Sequence, residues 1–150
     1  MNGQDEPAAS PDFDLARARV CAIVNMGSGR EAGDDIAGKL RAALQGRVAE
    51  LRFRGTGKGA DLPAMAREAV AEGFDLIVAA GGDGTQAAVA GAVAGTPAAM
   101  AVIPGGTFNY FARDLGSGET VEAALAIFDA PRIRRVHVGE MNGLIFLNSV

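Results

Sequence analysis

The chain has 150 residues with 14 basic and 18 acidic side chains, and its formal net charge is −4. Four of the acidic side chains lie in residues 1–14, which hold no Lys or Arg, so the remainder is balanced and offers no overall basic field for nucleic acid. The one cysteine, Cys21, excludes a disulfide within the chain, and no apolar run approaches the roughly 18 residues of a membrane span. These features predict a protein of the reducing cytoplasm, long enough for one domain with a hydrophobic core.

Strand patterns alternate with helix patterns along the chain. Residues 1–15 are predicted to form a flexible acidic tail. Short apolar runs predict strands at 19–25, 48–54, 74–80, 98–103, 133–138 and 144–148. Helical spacing predicts helices at 31–45, 63–72, 86–94, 108–115 and 119–128, and a turn at 139–143 joins the last two strands. The alternation predicts an α/β fold, a three-layer Rossmann-like parallel sheet with helices on both faces.

The most informative turn is Gly81-Gly82-Asp83-Gly84-Thr85, between a buried strand and a helix of small residues. This arrangement cradles phosphate, because glycine lets the backbone approach a ligand and a helix N-terminus attracts an anion. A carboxylate beside phosphate is unfavourable unless a metal bridges them or the carboxylate handles a proton, so Asp83 is the leading catalytic candidate. The competing interpretation is a tight packing turn in which Asp83 only caps the helix. The spacing fits neither the dinucleotide fingerprint nor the Walker A loop.

Three further glycine-rich turns lie at 25–29, 55–59 and 104–107. Ligands of such sheets bind beyond the carboxyl ends of the strands, so we expect these turns to gather around the turn at 81–85. In the first of them, Asn25 and Ser28 could bind phosphate or a metal's water, although helix capping is the favoured role for that turn taken alone. Lys58, in the second, is interpreted as a solvated loop lysine.

Three segments occur in an order that resembles the signatures of the diacylglycerol kinase catalytic domain, the family of bacterial lipid kinases related to sphingosine kinases. They are Asn25-Met26-Gly27-Ser28-Gly29, Gly81-Gly82-Asp83-Gly84-Thr85 and Pro104-Gly105-Gly106-Thr107-Phe108-Asn109-Tyr110-Phe111-Ala112-Arg113. NAD kinases share the second signature, whereas the third is much more specific to the lipid kinases. The resemblance covers about residues 18–150, and residues 136–148 resemble the crossover into that family's second domain.

The resemblance implies an enzyme that transfers the γ-phosphoryl group of ATP, with Mg²⁺, to a lipid hydroxyl, diacylglycerol being the default acceptor. It implies a nucleotide-binding domain at 16–136 and the start of a β-sandwich domain at 137–150. A lipid substrate implies transient contact with a membrane surface, at the periphery of the cytoplasm. Because the strand at 144–148 would lack its sheet partners, we also expect self-association through this segment.

The resemblance also implies a set of site residues. Asp83 would be catalytic and would hold magnesium, directly or through water. The residues implied to line the nucleotide are Asn25, Ser28, Gly29, Thr56, Gly81, Gly82, Asp83, Gly84, Thr85, Gly106, Thr107 and Asn109.

Four positions depart from the family pattern. Met26 replaces a usual Pro, Ala88 a frequent Glu, Tyr110 a common Asp, and His137 a usual Asp. The changes at Ala88, Tyr110 and His137, together with the end of the chain near the start of the second domain, favour one alternative, a nucleotide-binding module without catalysis. The other alternative is an NAD kinase-like enzyme, which only the signature at 81–85 supports.

Overall fold

The computed structural model describes residues 13–25, 30–55, 61–105, 120–131, 139–141 and 144–146, with the backbone alone for 30–31, 139–141 and 144–146. The strands are β1 (Arg19–Asn25), β2 (Glu50–Gly55), β3 (Leu76–Gly81), β4 (Ala99–Pro104), β5 (Gly139–Met141) and β6 (Leu144–Phe146). The helices are α1 (Arg30–Leu44), α2 (Leu62–Ala71), α3 (Asp83–Val93) and α4 (Val121–Leu125). Short 3₁₀ segments lie at Leu15–Arg17 and Ala126–Asp129.

Strands β1 to β4 form one parallel sheet in the order β2-β1-β3-β4. The chain leaves β1 for β2 on one side and returns to β3 on the other, so the strand order reverses between β1 and β3. Asn25 lies opposite Gly81, and Gly81 lies opposite Pro104, so the carboxyl ends of β1, β3 and β4 are level. Strands β5 and β6 pair antiparallel in a separate sheet, and β6 lies against α3.

Helices cover both faces of the parallel sheet, which confirms the predicted three-layer α/β architecture. The core under α1 and α4 contains Val20, Ala22, Val24, Ile36, Leu40, Leu44, Leu76, Val78, Ala80, Ile103, Ala124 and Phe128. The core under α2 and α3 contains Cys21, Ile23, Ala66, Ala69, Phe74, Ile77, Ala79 and Val89. Alternate residues of β1 and β3 therefore enter opposite cores, which explains why these strands are continuous apolar runs in the sequence.

Local signals in the sequence set the ends of α2. Asp61 precedes the helix, and its carboxylate accepts a hydrogen bond from the Ala64 N–H at 3.1 Å. Pro63 lies in the first turn, where its missing N–H removes no helical hydrogen bond. The helix ends before Gly73, whose φ of +90° is a left-handed conformation that favours glycine.

Several predicted boundaries are wrong, among them the start of α3, which is Asp83 and not residue 86. The tail is shorter than 1–15, because Leu15 is buried in the core and Phe13 packs against that core. The Phe13 N–H also donates to the Pro131 carbonyl at 3.1 Å. The turn predicted at 139–143 is too long, since Gly139–Met141 is strand β5.

Other predicted segments lie wholly or partly outside the described residues. Residues 1–12, the helix at 108–115 and the strand at 133–138 belong to this group. The helix predicted at 119–128 is described from residue 120, and only Val121–Leu125 is α-helical before the 3₁₀ segment. No described helix has both the length and the apolar character needed to cross a membrane.

Five contacting residues, centred on the edge where the strands begin, form what we call the amino-edge network: Arg19, Glu50, Arg54, Glu72 and Phe74. Arg54 is the second-last residue of β2, and its side chain reaches back to Glu72. Arg19 donates from Nε to Glu50 Oε1 at 2.9 Å and from Nη1 to the Glu72 carbonyl at 2.7 Å. Its guanidinium also lies 4.5 Å from the centroid of the Phe74 ring. Arg54 donates from Nη2 to Glu72 Oε1 at 2.6 Å. The hydrogen bond from Arg19 holds the pKa of the Glu50 carboxyl below its ordinary value.

Candidate functional site

The point where the strand order reverses is the expected ligand position in an open α/β sheet, just outside the carboxyl ends of the strands. In this chain that point lies between Asn25, the last residue of β1, and Gly81, the last residue of β3. Pro104 ends β4 on the other side of Gly81, and the Gly105 N–H donates to the Gly81 carbonyl at 2.9 Å. The described beginnings of three predicted glycine turns therefore meet at one edge of the sheet.

Gly81 occupies a position that excludes a side chain. A Cβ added there would lie 2.6 Å from the Asn25 carbonyl oxygen and 2.7 Å from Thr85 Oγ1. Those distances are shorter than real Cβ contacts, so β1, β3 and the first turn of α3 can meet only over a glycine. Gly84 differs, because a Cβ added there would meet nothing within 4 Å. The sequence motif therefore contains glycines with different structural requirements.

A side-chain hydrogen bond connects the first predicted signature to the second. Asn25 Nδ2 donates to Thr85 Oγ1 at 3.0 Å, and Thr85 is only 3% exposed. This bond ties the end of β1 to the first turn of α3 across the crevice between β1 and β3. The sequence suggested capping as the favoured role of Asn25 in its own turn, whereas its amide is bonded to Thr85.

The N-terminus of α3 is built on Gly82, which is the N-cap residue and whose carbonyl accepts from the Gln86 N–H at 3.1 Å. Asp83 is the first residue of the helix, so the alternative interpretation of Asp83 as the N-cap is wrong. Its Oδ1 is buried and has no hydrogen-bond partner among the described residues. The positive end of the helix dipole stabilises this charge, but a buried carboxylate oxygen without a donor is costly and suits a bound cation or donor.

Gln86 is a site residue that the sequence reasoning missed. Its side chain is fully buried, and Nε2 donates to the Gly81 carbonyl at 2.8 Å. Its Oε1 is also buried without a hydrogen-bond partner in the described part of the chain. The available signal was a polar residue directly after the glycine turn, at a helix position where the neighbouring residues are small and apolar.

The arrangement suits an anion together with a hard cation. The N–H groups of the first helical turn have no partners within the helix, so those of Asp83, Gly84 and Thr85 can donate to phosphate oxygens. Asp83 supplies a carboxylate, and Mg²⁺ is commonly held by one or two carboxylates together with substrate phosphates. Within the described ranges, no group of three or more His, Cys, Asp or Glu side chains could form a metal site made by the protein alone.

Half of the predicted site residues are described. The structure brings Asn25, Gly82, Asp83, Gly84 and Thr85 around Gly81 at the end of β3. The remaining predicted residues lie outside the described ranges: Ser28, Gly29, Thr56, Gly106, Thr107 and Asn109.

A comparison with protein families decides the family of this chain. The sequence model of the diacylglycerol kinase catalytic domain matches residues 19–141, which include all six described site residues. The chain belongs to the diacylglycerol kinase catalytic domain family. The resemblance inferred from the three signatures is thereby confirmed.

Named relatives support the same family. A protein of Pseudomonas fluorescens named "Probable lipid kinase YegS-like" is 39% identical over 115 residues, which cover 73% of this chain and 38% of that protein. A diacylglycerol kinase of Staphylococcus saprophyticus is 30% identical over 134 residues, covering 88% of this chain and 44% of that protein. The chain therefore spans about two fifths of the length of these curated relatives.

A solved structure has the same fold. The crystal structure of a diacylglycerol kinase from Bacillus anthracis superimposes with a TM-score of 0.72 at 32% sequence identity. The superposition covers 87% of this chain and 50% of that one. The α/β layer described above is therefore an architecture found within diacylglycerol kinases.

Proposed function

We propose that the complete enzyme transfers the γ-phosphoryl group of ATP to a lipid hydroxyl, with diacylglycerol as the default acceptor, and that this chain supplies its nucleotide-binding half. One observation carries the proposal furthest. The buried Asp83 Oδ1 has no donor among the described residues, yet it lies at a helix N-terminus beside a glycine turn, in a member of a lipid kinase family. A carboxylate in that position is suited to a cation that accompanies phosphate.

The chain's own residues would act mainly by positioning. The N–H groups at the start of α3 would hold phosphate oxygens, and Asp83 would hold Mg²⁺ directly or through water. A Mg²⁺ ion held there would supply positive charge to offset the negative charge of the phosphates during phosphoryl transfer. The Asn25–Thr85 bond and the close approach at Gly81 fix the turn before the ligand arrives. Further nucleotide contacts are proposed at Ser28, Gly29, Thr56, Gly106, Thr107 and Asn109.

The acceptor determines where the enzyme works. Diacylglycerol resides in a membrane, so the complete enzyme would meet its substrate at the membrane surface while its nucleotide came from the cytoplasm. The balanced charge of residues 15–150 gives no reason to propose a nucleic-acid partner.

The first test is direct nucleotide binding to the 150-residue chain. Half of a cleft buries less of a ligand, so we expect a Kd for Mg-ATP near the millimolar range, or about −4 kcal/mol. Calorimetric titration measures it, with and without Mg²⁺. Absence of binding at several millimolar Mg-ATP would contradict the proposed site.

The second test is turnover by the full-length enzyme, with ATP and diacylglycerol or ATP and NAD as substrate pairs. Phosphorylation of the lipid supports the proposal, and phosphorylation of NAD alone would replace it with an NAD kinase-like activity. Nucleotide binding without turnover of any acceptor would indicate a binding module, as the departures at Ala88, Tyr110 and His137 suggest.

We also propose that the chain self-associates through residues 144–148. Strands β5 and β6 form a sheet of only two strands within the described residues, and short apolar strands with an open edge tend to pair with other chains. Light scattering behind a sizing column would compare residues 1–150 with residues 1–138. Equal monomeric behaviour of both chains would refute this part of the proposal.

A further inference from the structure

Thr85 belongs to the glycine signature, but its side chain lies inside the protein. Only 3% of the residue is exposed, whereas Asn25, which donates a hydrogen bond to it, is half-buried at the end of β1. A residue covered by its own protein has little surface to offer a nucleotide. Thr85 and Asn25 therefore take part in binding in different ways, although the family resemblance implied that both line the nucleotide.

The glycine at position 81 makes room for the Thr85 side chain. A Cβ added to Gly81 would lie 2.7 Å from Thr85 Oγ1 and 2.9 Å from Thr85 Cβ. The threonine side chain thus occupies the space that any larger residue at position 81 would need. In that space its hydroxyl accepts the 3.0 Å hydrogen bond from Asn25 Nδ2. The first glycine and the threonine of the signature therefore act together to place a hydroxyl group against the end of β1.

The hydrogen bond adds something that the strand pairing does not supply. Asn25 pairs with Gly81 in the parallel ladder between β1 and β3, so the main chain already holds the ends of these strands together. The ladder leaves the Asn25 side chain free to change rotamer, and an amide has a donor end and an acceptor end. Bonding Nδ2 to a buried hydroxyl selects one orientation of that amide.

We propose that Thr85 is a positioning residue, whose hydroxyl orients the Asn25 amide at the crevice where the nucleotide binds. Asn25 makes the contact with the nucleotide, and Thr85 touches neither nucleotide nor metal. An amide that is oriented in advance raises affinity, because less rotamer freedom is lost on binding. The inference rests on the proposed function, since it assumes that the nucleotide occupies the crevice between β1 and β3.

The test is a double-mutant cycle in the 150-residue chain, made of Thr85→Val, Asn25→Ala and the variant with both changes. Valine has nearly the shape of threonine but no hydroxyl, and Thr85→Ser restores the hydroxyl as a rescue. Val89→Ala is the matched control, because Val89 is fully buried on the same helix and takes no part in the Asn25–Thr85 bond. Amide NMR titration with Mg-ADP, which measures millimolar Kd values, gives the affinities, and thermal unfolding gives the stabilities.

We expect Thr85→Val to bind Mg-ADP about threefold to fivefold more weakly than wild type, the effect of about one hydrogen bond. The same change should cost nothing further where Asn25 is already Ala, because the amide to be oriented is gone. Thr85→Ser should recover most of the affinity, and Val89→Ala should lose stability but no affinity.

Three results would overturn the positioning role. They are wild-type affinity in Thr85→Val, wild-type affinity in Asn25→Ala, and a loss from Thr85→Val that persists in the Asn25→Ala background, which would mean that Thr85 itself contacts the nucleotide. The side-chain amide signals of Asn25 should also shift in ligand-free Thr85→Val, and unchanged signals would refute the orienting bond. No Mg-ADP binding by the wild-type chain would instead refute the proposed nucleotide site, whatever the Asn25 signals show.

Discussion

The two edges of the parallel sheet differ in how their charged side chains are paired. At the amino edge, Arg19 bonds to Glu50 and to the Glu72 carbonyl, and Arg54 pairs with Glu72, although Arg54 Nη1 has no partner among the described residues. At the carboxyl edge, Asp83 has a buried oxygen without a described partner. The guanidinium groups of Arg19 and Arg54 are both bonded to described partners, so these contacts stabilise the fold, whereas the buried Asp83 oxygen lies at a helix N-terminus and is suited to a ligand.

The largest expected effect is at the carboxyl edge. Asp83→Asn keeps the shape of the side chain and removes its charge, so turnover by the full-length enzyme should fall by about 100-fold or more if Asp83 holds the metal. Thermal stability should change little, because Oδ1 makes no hydrogen bond to a described residue. Asp34→Asn, an exposed change on α1, is the matched control and should leave turnover unaltered. Near-wild-type turnover of Asp83→Asn would contradict the proposal that the carboxyl edge binds a metal through Asp83.

The second prediction tests whether the carboxyl edge is also built by close packing. Gly81→Ala places a Cβ 2.6 Å from the Asn25 carbonyl oxygen, so we expect a loss of about 2–3 kcal/mol of unfolding free energy from the forced backbone shift. Gly38→Ala is the control, because its Cβ meets nothing within 4 Å in the middle of α1. That change should stabilise the chain by about 0.5–1 kcal/mol. Urea unfolding would measure both, and equal stability of the two variants would contradict the packing argument.

The third prediction concerns the amino edge. Arg19→Met keeps the aliphatic stem but removes two hydrogen bonds and the contact with the Phe74 ring, so stability should fall by about 1–2 kcal/mol. Nucleotide affinity should stay the same, because these contacts lie at the edge opposite the site. Arg67→Met, on the exposed face of α2, controls for the loss of a positive charge. A weaker affinity in Arg19→Met at unchanged stability would show that the two edges are not independent.

The smallest expected effect is a pH dependence at the amino edge. The folded-state pKa of Glu50 is lowered, chiefly by its hydrogen bond from Arg19. The stabilisation of the fold by the ionised Glu50 carboxylate is therefore complete above the ordinary pKa of 4.5. It is lost as the pH falls through the lower folded-state pKa. The stability difference between wild type and Glu50→Gln should be constant near neutral pH and should shrink below about pH 4.5. A stability difference between the two proteins that grows on acidification would contradict the stabilising hydrogen bond from Arg19 to Glu50.

Periodicity predicted the fold well where a strand or helix buries a regular set of residues, as β1, β3 and α1 do. The seven residues of β1 were predicted with correct bounds, since they are apolar and buried from Val20 to Val24. Strand order and register could not be read from these patterns, because apolar strands of similar length can pair in several orders. The burial of Leu15 was missed because a single apolar residue beside an acidic tail forms no periodic apolar pattern.

The site was only partly predictable for a different reason. Glycine spacing identified the turn, and the family signatures identified its residues, but neither predicts which side chains bond across it. The Asn25–Thr85 bond joins positions 60 residues apart, and Gln86 donates to a Gly81 carbonyl that also accepts from Gly105. Such contacts follow from the register of β1, β3 and β4, which exists only in the folded sheet.

Cys21 gives this sheet a built-in chemical reporter. It is the only cysteine of the chain, it is fully buried in β1 between Arg52 of β2 and Ile77 of β3, and burial raises the pKa of its thiol. A thiol reagent can therefore reach it only when the centre of the sheet opens, and the modification rate follows the free energy of that opening. A ligand that binds only the folded sheet slows the reaction in proportion to its occupancy. Nucleotide binding at the far end of β1 can thus be followed without adding a label.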